Sequence, residues 1–521
     1  MPSYFAKRNL FPKRWMDKKL SMEMGKLVPF FHQEIYPGDF LKLRTHTSVK
    51  LADFGQPVFD SLSLKFWYFY VPYRTINDDF EQFITGWSLK EEKPSTVLWP
   101  FLTSKANTNS DWGIGSLMDY LEFPVTQNAV GVQVSAMPAR AYQKICNDWF
   151  VSEFLQSRIV ISTESGEDET TSLKLQSRCW PRDYFTQALP FTQLGSPIMI
   201  PLSGGFAPVV QDSSNPAIKV TGAQHSNGSY NLAAGQNAGN SQYAVINSGL
   251  NLTIDESLVF KNSGLVADLS KVPAFSVNTG RLSFQMQRIQ ERLARGGVRL
   301  TEYIRSVFAV FPPDARLSRA EYLGGGTCPV LISEVVQNSG TTASSTQGNR
   351  TAIGDAYNSL PTITKGFTEH GIIMGLMSCL PVPTYFQGLR RDMFGSRTRF
   401  DFLQPELAHI GEQPLYNAEL YLQGNEKDME EFGYIPQYQW FREFKSTVCG
   451  DFRDNMRNFF FGREFSTLPV LNEDFVVANP STAPFAAGAK NATRPIWVDV
   501  LVFADLVRCL PKKGTPGLMD H

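Results

Sequence analysis

Histidine, cysteine and carboxylate side chains carry most catalysis and metal binding in proteins, and in this sequence they are widely scattered. The six histidines stand far apart, and no two of them have the spacing of a metal-binding pair. The six cysteines are isolated as well, without a Cys-x-x-Cys motif, so the sequence has neither a zinc nor a redox pattern. We therefore expect no metal site, no cofactor and no catalytic residues, and we interpret each lone histidine as a packed or surface residue.

Glycine-rich loops that cradle phosphates are a second kind of chemistry to consider. The sequence has no Gly-x-x-x-x-Gly-Lys-Ser/Thr loop, and the glycines of residues 113–115 lack the remainder of a dinucleotide fingerprint. The three glycines of residues 324–326 are interpreted as a turn. No Gly-x-Ser-x-Gly nucleophile elbow occurs either. These motifs give no support to a nucleotide-binding enzyme or a serine hydrolase.

Lysine and arginine are grouped at the start of the chain. The first 26 residues hold seven of them against two acidic residues, a net charge of +5. We interpret residues 1–26 as an extended basic arm that faces nucleic acid, and the alternative is a frayed, solvated terminus. The candidate nucleic-acid-facing residues are Lys7, Arg8, Lys13, Arg14, Lys18 and Lys19.

A second basic group lies late in the chain, near Phe394 and Phe400. Arginine beside aromatic side chains can hold single-stranded nucleic acid through phosphate contacts and base stacking. Arginine is also enriched in subunit interfaces. We favour a subunit interface over a nucleic-acid contact for this group, and both interpretations stay open. The residues of this group are Arg390, Arg391, Arg397 and Arg399.

Composition limits the partners of the 521-residue chain. Its net charge is −1, so a nucleic-acid contact has to come from local patches. Charged residues make up 19% and aromatic residues 13%, which favours either a large core or extensive burial in interfaces. The N-terminus has no apolar signal region and no run of about 18 apolar residues occurs, so we expect synthesis and folding in a cytoplasm.

One long segment is free of charge. Residues 220–254 contain no Asp, Glu, Lys or Arg and are rich in Gly, Ala, Ser, Asn and Gln. A long segment of this kind is usually functional or disordered, and its composition is typical of binding loops. We predict a polar surface insertion over residues 205–270. Its candidate contact residues are His225, Asn227, Tyr230, Asn231, Gln236, Asn237 and Tyr243.

Strands and helices are distributed without regular alternation. Apolar runs predict strands at residues 62–70, 328–336, 371–378 and 495–503. Helical spacing predicts helices at residues 138–150, 281–296 and from Thr301 to about residue 308, with Thr301 as the N-cap. Few helices between strands that are far apart in sequence favour an antiparallel sandwich with long connections over a doubly wound α/β fold.

Twelve short blocks in fixed order resemble the major capsid proteins of the Microviridae, within them the gokushovirus type. The match extends from the N-terminus to about residue 395 and includes no catalytic motif. The blocks are MGKLVP at 24–29, QEIYPGD at 33–39, FYVPYR at 69–74, FITG at 83–86, PARAY at 138–142, NDWF at 147–150, RDYF at 182–185, ALP at 188–190, ARGG at 294–297, DARL at 314–317, EYLGGG at 321–326 and ISEV at 332–335.

The resemblance implies an eight-stranded antiparallel jelly roll with long loop and helical insertions, a single domain over residues 27–521. It implies a T=1 shell around a circular single-stranded DNA genome of a bacteriophage. It also implies that the polar insertion forms a threefold protrusion that meets a host receptor. A small basic packaging protein and other phage structural proteins are the further partners implied. The alternatives are an extracellular jelly-roll binding module, such as a lectin or adhesin, and an enzyme on the same scaffold.

Overall fold

The computed structural model describes residues 8–88, 92–196, 198, 277–342, 347–486 and 494–512, together with the backbone of four short strands between residues 209 and 267. The chain divides into two compact units, one formed by residues 1–194 with 292–521 and the other by residues 195–291. The second unit contains two short antiparallel strand pairs and the start of a long helix. The predicted insertion over residues 205–270 falls in this unit.

The elements of the described chain are as follows. The strands are β1 (Asn9–Met22), β2 (Val28–Ile35), β3 (Phe40–Leu51), β4 (Leu62–Pro72), β5 (Trp87–Ser88), β6 (Lys93–Pro94), β7 (Phe101–Thr103), β8 (Gln133–Ser135), β9 (Val209–Gln211), β10 (Lys219–Val220), β11 (Tyr230–Asn231), β12 (Leu265–Ala267), β13 (Glu321–Val336), β14 (Arg350–Ser359), β15 (Ile363–Gly366), β16 (Gly371–Pro381), β17 (Glu412–Tyr416), β18 (Glu431–Pro436) and β19 (Ile496–Arg508). The helices are α1 (Phe80–Thr85), α2 (Leu117–Tyr120), α3 (Met137–Ile145), α4 (Val277–Gly296), α5 (Leu300–Phe308), α6 (Asn417–Leu420) and α7 (Glu473–Val476).

Eight of these strands form a jelly roll in the first unit. The first sheet has the order β1-β19-β3-β14, and the second sheet has the order β13-β4-β16-β2. All pairings are antiparallel, and β13 joins the two sheets because it pairs with both β14 and β4. Taken in chain order, the first strand pairs with the eighth and the second with the seventh, which is the double Greek key of a jelly roll. The predicted eight-stranded fold is confirmed.

Two connections of the jelly roll are very long. Residues 73–320 join β4 to β13, and residues 382–495 join β16 to β19. These connections carry all seven helices of the described chain, as the prediction of helices inserted between distant strands requires. Strand β1 lies within residues 1–26, the segment interpreted from the sequence as a basic arm, and it forms the edge of the first sheet.

The main core lies between the two sheets. Strand β3 alternates buried and exposed residues over its whole length, so its buried side chains, such as Leu43 and Val49, enter the core and the others leave it. Phe30 and Phe66 pack edge to face at 5.6 Å inside this core. A buried hydrogen bond of 2.6 Å joins the hydroxyl groups of Thr45 and Tyr68 across the two sheets. Burial of this surface is the main source of stability.

The second sheet is buried on both faces. Every residue of β16 is buried, and β4 is nearly so, as its continuous aromatic run predicts. The outer side packs against α3, whose residues Tyr142 and Ile145 are fully buried. An ion pair of 2.7 Å between Arg140 and Asp168, both almost without solvent contact, fixes α3 within the long connection. Removing either partner of a buried ion pair lowers the free energy of unfolding, because the remaining charge is left buried and unpaired.

Two details of the sequence prediction are wrong. Residues 324–326, predicted as a turn, lie inside β13, where a Cβ on Gly325 would come within 2.1 Å of the Phe66 carbonyl oxygen. Glycine is needed there because the two backbones approach closely, and no turn is formed. Thr301 is not the N-cap of α5, because that helix begins at Leu300 with Arg299 at the N-cap position. The Thr301 hydroxyl instead accepts a hydrogen bond from Arg319.

Candidate nucleic-acid interface

The outer side of the first sheet is uncovered among the described residues, and we call this surface, formed by β1, β19, β3 and β14, the open face. Directly paired residues of antiparallel strands project to the same side of a sheet. Trp497 pairs with Lys50, which in turn pairs with Asp355, so these three side chains form one row of the open face. Trp15 and Phe503 form another row with Arg44.

Aromatic side chains stand out on the open face. Trp15 is 66% exposed, Trp497 is 47% exposed and Tyr357 is 76% exposed. Large rings in contact with water are unfavourable unless a partner covers them. Every nucleic-acid base offers a π-face, so exposed rings of this kind are suitable stacking platforms for a single strand of any sequence.

Cations lie between these rings on β1 and β3. Arg44 pairs with Asp505 at 3.2 Å, and Lys19 pairs with Asp17 at 2.6 Å. These exposed pairs contribute little to stability and can exchange for phosphate at small cost. Lys42 and Lys50 are exposed and form no ion pair within the part of the chain that the structure describes. Strand β3 thus supplies three cations on one side of the sheet, because its side chains alternate.

Two carboxylates of the open face are close enough to share a proton. The side chains of Asp17 and Asp499 lie beside each other on the paired strands β1 and β19, with Lys19 between them. The hydrogen bond to Asp17 raises the pKa of Asp499, whereas the hydrogen bond from Lys19 lowers the pKa of Asp17. The pKa values of the two carboxyl groups are therefore separated, and Asp499 takes up a proton before Asp17 as the pH falls.

The predicted arm residues are divided between the two sides of β1. Lys19 lies on the open face, whereas Lys18 points to the other side and is only 13% exposed. The Lys18 ammonium donates to the Tyr120 carbonyl oxygen at 2.7 Å and pairs with Glu122 at 3.0 Å, and burial lowers its pKa. Lys18 therefore joins β1 to the long connection that follows β4.

Of the other predicted arm residues, only the side chain of Arg8 lies within the described part of the chain. Arg8 is exposed beside Gly38, where its guanidinium lies 2.9 Å from the position of a Cβ on that glycine. Lys7 and the side chains of Lys13 and Arg14 lie outside the described residues. The nucleic-acid-facing role of all six stays a prediction.

The late arginine group is not one continuous patch. Arg391 is 10% exposed, pairs with the buried Glu419 at 3.3 Å and donates to the Pro414 carbonyl oxygen, so it stabilises the local fold. Arg390 is exposed and pairs with Asp392 at 2.6 Å.

Arg397 and Arg399 of the same group lie on aromatic rings. The guanidinium of Arg397 lies 4.4 Å from the centre of the Phe402 ring, and that of Arg399 lies 4.6 Å from the centre of the Phe400 ring. Both rings are exposed, so each arginine forms a cation–π contact at the protein surface. The choice between subunit interface and nucleic acid stays open for them.

The seven candidate residues of the polar insertion, His225, Asn227, Tyr230, Asn231, Gln236, Asn237 and Tyr243, have side chains outside the described residues. The backbone of Tyr230–Asn231 forms β11, which pairs with β10. Their predicted contact with a host stays a prediction.

Sequence reasoning missed most of the open face. Trp497, Tyr357, Lys42, Arg44 and Lys50 were not among the candidate residues. One signal could have found the three cations, because Lys42, Arg44 and Lys50 are separated by even numbers of residues in β3 and therefore project to the same side of a strand. Trp497 and Tyr357 could not be assigned to the same surface without the pairing of strands that lie more than 300 residues apart.

Metal and membrane sites find no support in the described residues. The described residues contain no group of three or more His, Cys, Asp or Glu side chains that could hold a metal ion. None of the helices within these same ranges is long and apolar enough to cross a membrane.

Comparison with known proteins adds the identity of the relatives. A protein-family model described as "Capsid protein (F protein)" matches residues 2–518. The chain is 33% identical over 494 residues to the capsid protein VP1 of Bdellovibrio phage phiMH2K, in an alignment that covers 92% of this chain and 89% of that protein. It is 30% identical over 573 residues to the capsid protein VP1 of Chlamydia phage 1, covering 96% and 94%. It is 29% identical over 530 residues to that of Spiroplasma virus 4, covering 96% and 93%.

Proposed function

The chain belongs to the capsid protein (F protein) family, and from this premise we propose that it closes into a T=1 icosahedral shell around the circular single-stranded DNA genome of a bacteriophage. Its membership confirms the resemblance to the Microviridae capsid proteins of the gokushovirus type. The protein is a structural component of the virion that assembles with further copies of itself into a shell, and it is not an enzyme. Synthesis and assembly in the bacterial cytoplasm are part of the proposal.

The open face is the observation that supports the genome contact. In the described chain the long connections cover the outer side of the second sheet and leave that of the first sheet bare. The open face combines exposed aromatic rings, on which bases can stack, with exposed lysine and arginine side chains, which can contact phosphate. This combination is suitable for single-stranded DNA, whose contact with a coat protein has to be independent of sequence. We therefore propose that the open face forms the inner wall of the shell.

Charge removal on β3 tests this assignment. The triple variant Lys42→Gln, Arg44→Gln and Lys50→Gln should bind poly(dT) more weakly. The slope of log affinity against log salt should fall by about 2, since each lost phosphate contact removes about 0.7 from the slope for single strands. The matched control is Lys105→Gln, Lys174→Gln and Lys427→Gln, which removes three exposed charges elsewhere. Equal losses in both triple variants would contradict the assignment.

Base stacking on the open face has its own test. Trp497→Ala should weaken poly(dT) binding by about 1–3 kcal/mol, the usual contribution of one stacked base. Trp87 is exposed to nearly the same extent, 45% against 47%, so Trp87→Ala is the matched control and should leave binding unchanged. A fluorescence titration measures both, and a larger loss in Trp87→Ala would contradict stacking on the open face.

The polar insertion is proposed as the threefold protrusion that contacts the host receptor. Its uncharged, hydrogen-bonding composition supports this role, as in other binding loops. Deletion of residues 222–250 should give closed particles that no longer adsorb to host cells, measured by particle yield and by adsorption. Failure of the particles to form would instead indicate a structural role for the insertion.

A small basic DNA-packaging protein and other phage structural proteins are proposed as partners. The net charge of −1 supports this, because a nearly neutral coat chain cannot neutralise a packaged genome without added cations.

A further inference from the structure

Two cations on the outer side of the second sheet form no ion pair with any acidic residue in the described part of the chain. Lys65 lies on β4 and pairs directly with Ser378 on β16, so the two side chains leave the sheet on the same side, with Cβ atoms about 4.5–5.5 Å apart. Trp67, two residues further along β4, projects on this side as well. The guanidinium of Arg178 lies over the Trp67 ring, 5.1 Å from its centre.

The position of Arg178 is fixed by its backbone. Its amide donates to the Gly25 carbonyl oxygen at 2.7 Å, and its carbonyl oxygen accepts from the Ala478 amide at 2.8 Å. The Gly25 amide in turn donates to the carbonyl oxygen of Cys379, the residue that follows Ser378. The segment that carries Arg178 is thus held beside the end of β16, and its guanidinium, over Trp67, lies on the side of the sheet from which Lys65 and Ser378 project.

No described residue neutralises the charges of Lys65 and Arg178 or accepts a hydrogen bond from the Ser378 hydroxyl. Neither Lys65 nor Arg178 forms an ion pair with any described carboxylate, and burial lowers the pKa of both. Proximity to Arg178 lowers the pKa of Lys65 further. The Ser378 side chain is fully buried, and its Oγ has no hydrogen-bond partner within the described chain. Lys65 and Arg178 are half-buried, so holding these two like charges near each other and leaving the buried Ser378 hydroxyl unsatisfied costs folding free energy. An unsatisfied buried polar group needs a physical explanation, and a bound ligand supplies one.

We propose that Lys65, Arg178 and Ser378 form a phosphate-binding site on the second sheet. The guanidinium offers two parallel N–H donors to two phosphate oxygens, the ammonium adds a point charge, and the serine hydroxyl donates one further hydrogen bond. A bound phosphate group relieves the repulsion between the two cations and satisfies the buried hydroxyl. The group comes either from free phosphate or from a nucleic-acid backbone, and the chemistry of recognition is the same for both.

This site lies on the sheet opposite to the open face, so its test is independent of the genome contact proposed above. The measurement is thermal unfolding of the full chain in sodium phosphate and in sodium chloride of equal ionic strength. At a phosphate concentration ten times the dissociation constant, the wild-type midpoint should rise by about 1–2 °C.

Lys65→Met separates a ligand site from a structural role. Because the variant removes one of two repelling charges, its midpoint in chloride should be higher than that of the wild type, and phosphate should no longer raise it. Arg178→Gln should also abolish the phosphate effect. The control is Lys174→Met, an exposed cation on the same segment, which should keep the wild-type response.

Three results would overturn the proposal: a wild-type midpoint that does not respond to phosphate, a Lys65→Met variant that is less stable in chloride, or a phosphate response that survives in Lys65→Met. Repeating the titration with a short oligodeoxythymidylate identifies the source of the phosphate group. Protection by inorganic phosphate alone that is lost in Lys65→Met indicates the free ion. Protection by the oligonucleotide that is lost in Lys65→Met, but kept in the triple variant Lys42→Gln, Arg44→Gln and Lys50→Gln, indicates the nucleic-acid backbone.

Discussion

At the scale of single residues, the anchoring of each charged side chain decides what it can contact. Lys18 and Lys19 are neighbours in sequence, yet β1 sends them to opposite sides. The Lys18 ammonium is held by Glu122 and the Tyr120 carbonyl oxygen, whereas Lys19 is exposed and pairs only with exposed carboxylates. Lys19 can therefore exchange its partners for phosphate, and Lys18 cannot do so without weakening the fold.

The carboxylate pair on the open face predicts a pH dependence of nucleic-acid binding. Since the hydrogen bond to Asp17 raises the pKa of Asp499, that carboxyl group takes up a proton first as the pH falls from neutral. The open face then becomes more positive, so its affinity for poly(dT) should rise as the pH is lowered at constant ionic strength.

The variant Asp499→Asn isolates this contribution. It removes the titrating group, so it should bind more tightly than the wild type at neutral pH and show a flatter pH profile. His46 lies in the neighbouring row and is unchanged in the variant. Identical profiles for variant and wild type, measured by fluorescence titration, would show that the pair does not face the nucleic acid.

At the scale of elements, the jelly roll depends on the close approach of β13 to β4. A Cβ on Gly325 would meet the Phe66 carbonyl oxygen at 2.1 Å, a backbone contact that cannot be relieved by a change of rotamer. Gly325→Ala should therefore lower the free energy of unfolding by about 3 kcal/mol, the upper range for overpacking. Gly340→Ala, where a Cβ meets nothing within 4 Å, should change it by less than about 0.5 kcal/mol. Urea unfolding measures both, and equal effects would contradict the packing described.

The elements that could be predicted from sequence are those whose burial differs from that of their surroundings. Strands β4 and β16 are buried on both faces, so their apolar runs are visible in the sequence. Strand β1 was interpreted as an arm because its many lysines and arginines conceal the alternation of its side chains. The glycines of β13 were interpreted as a turn because a close approach to β4, a strand more than 250 residues away in sequence, leaves no local signal.

The candidate site could be predicted only in part, for the same reason. Lys19 was found because it lies in a local charge cluster. Trp497 and Tyr357 join it only through the pairings of β19 with β1 and β3 and of β14 with β3. Pairing between strands that lie hundreds of residues apart leaves no local pattern from which a single sequence could reveal it. The phosphate site was missed entirely, since Lys65, Arg178 and Ser378 come from three distant segments.

At the scale of the whole molecule, the two sheets of the jelly roll differ in how far their outer sides are covered. The second sheet is covered by α3 and the rest of its connection, and its outer side forms a second core. The first sheet presents rings and charges to its surroundings, within the residues that the structure describes. The proposed function requires one surface that meets the genome, and among the described residues the bare sheet is the surface with suitable chemistry.

Cryo-electron microscopy of assembled, genome-filled particles tests this account most directly. We predict closed T=1 shells in which the open face lines the interior and ordered nucleotide density stacks on Trp497 and Tyr357. A shell in which these rings face outward, or are buried against a neighbouring copy, would contradict the assignment of the open face to the genome.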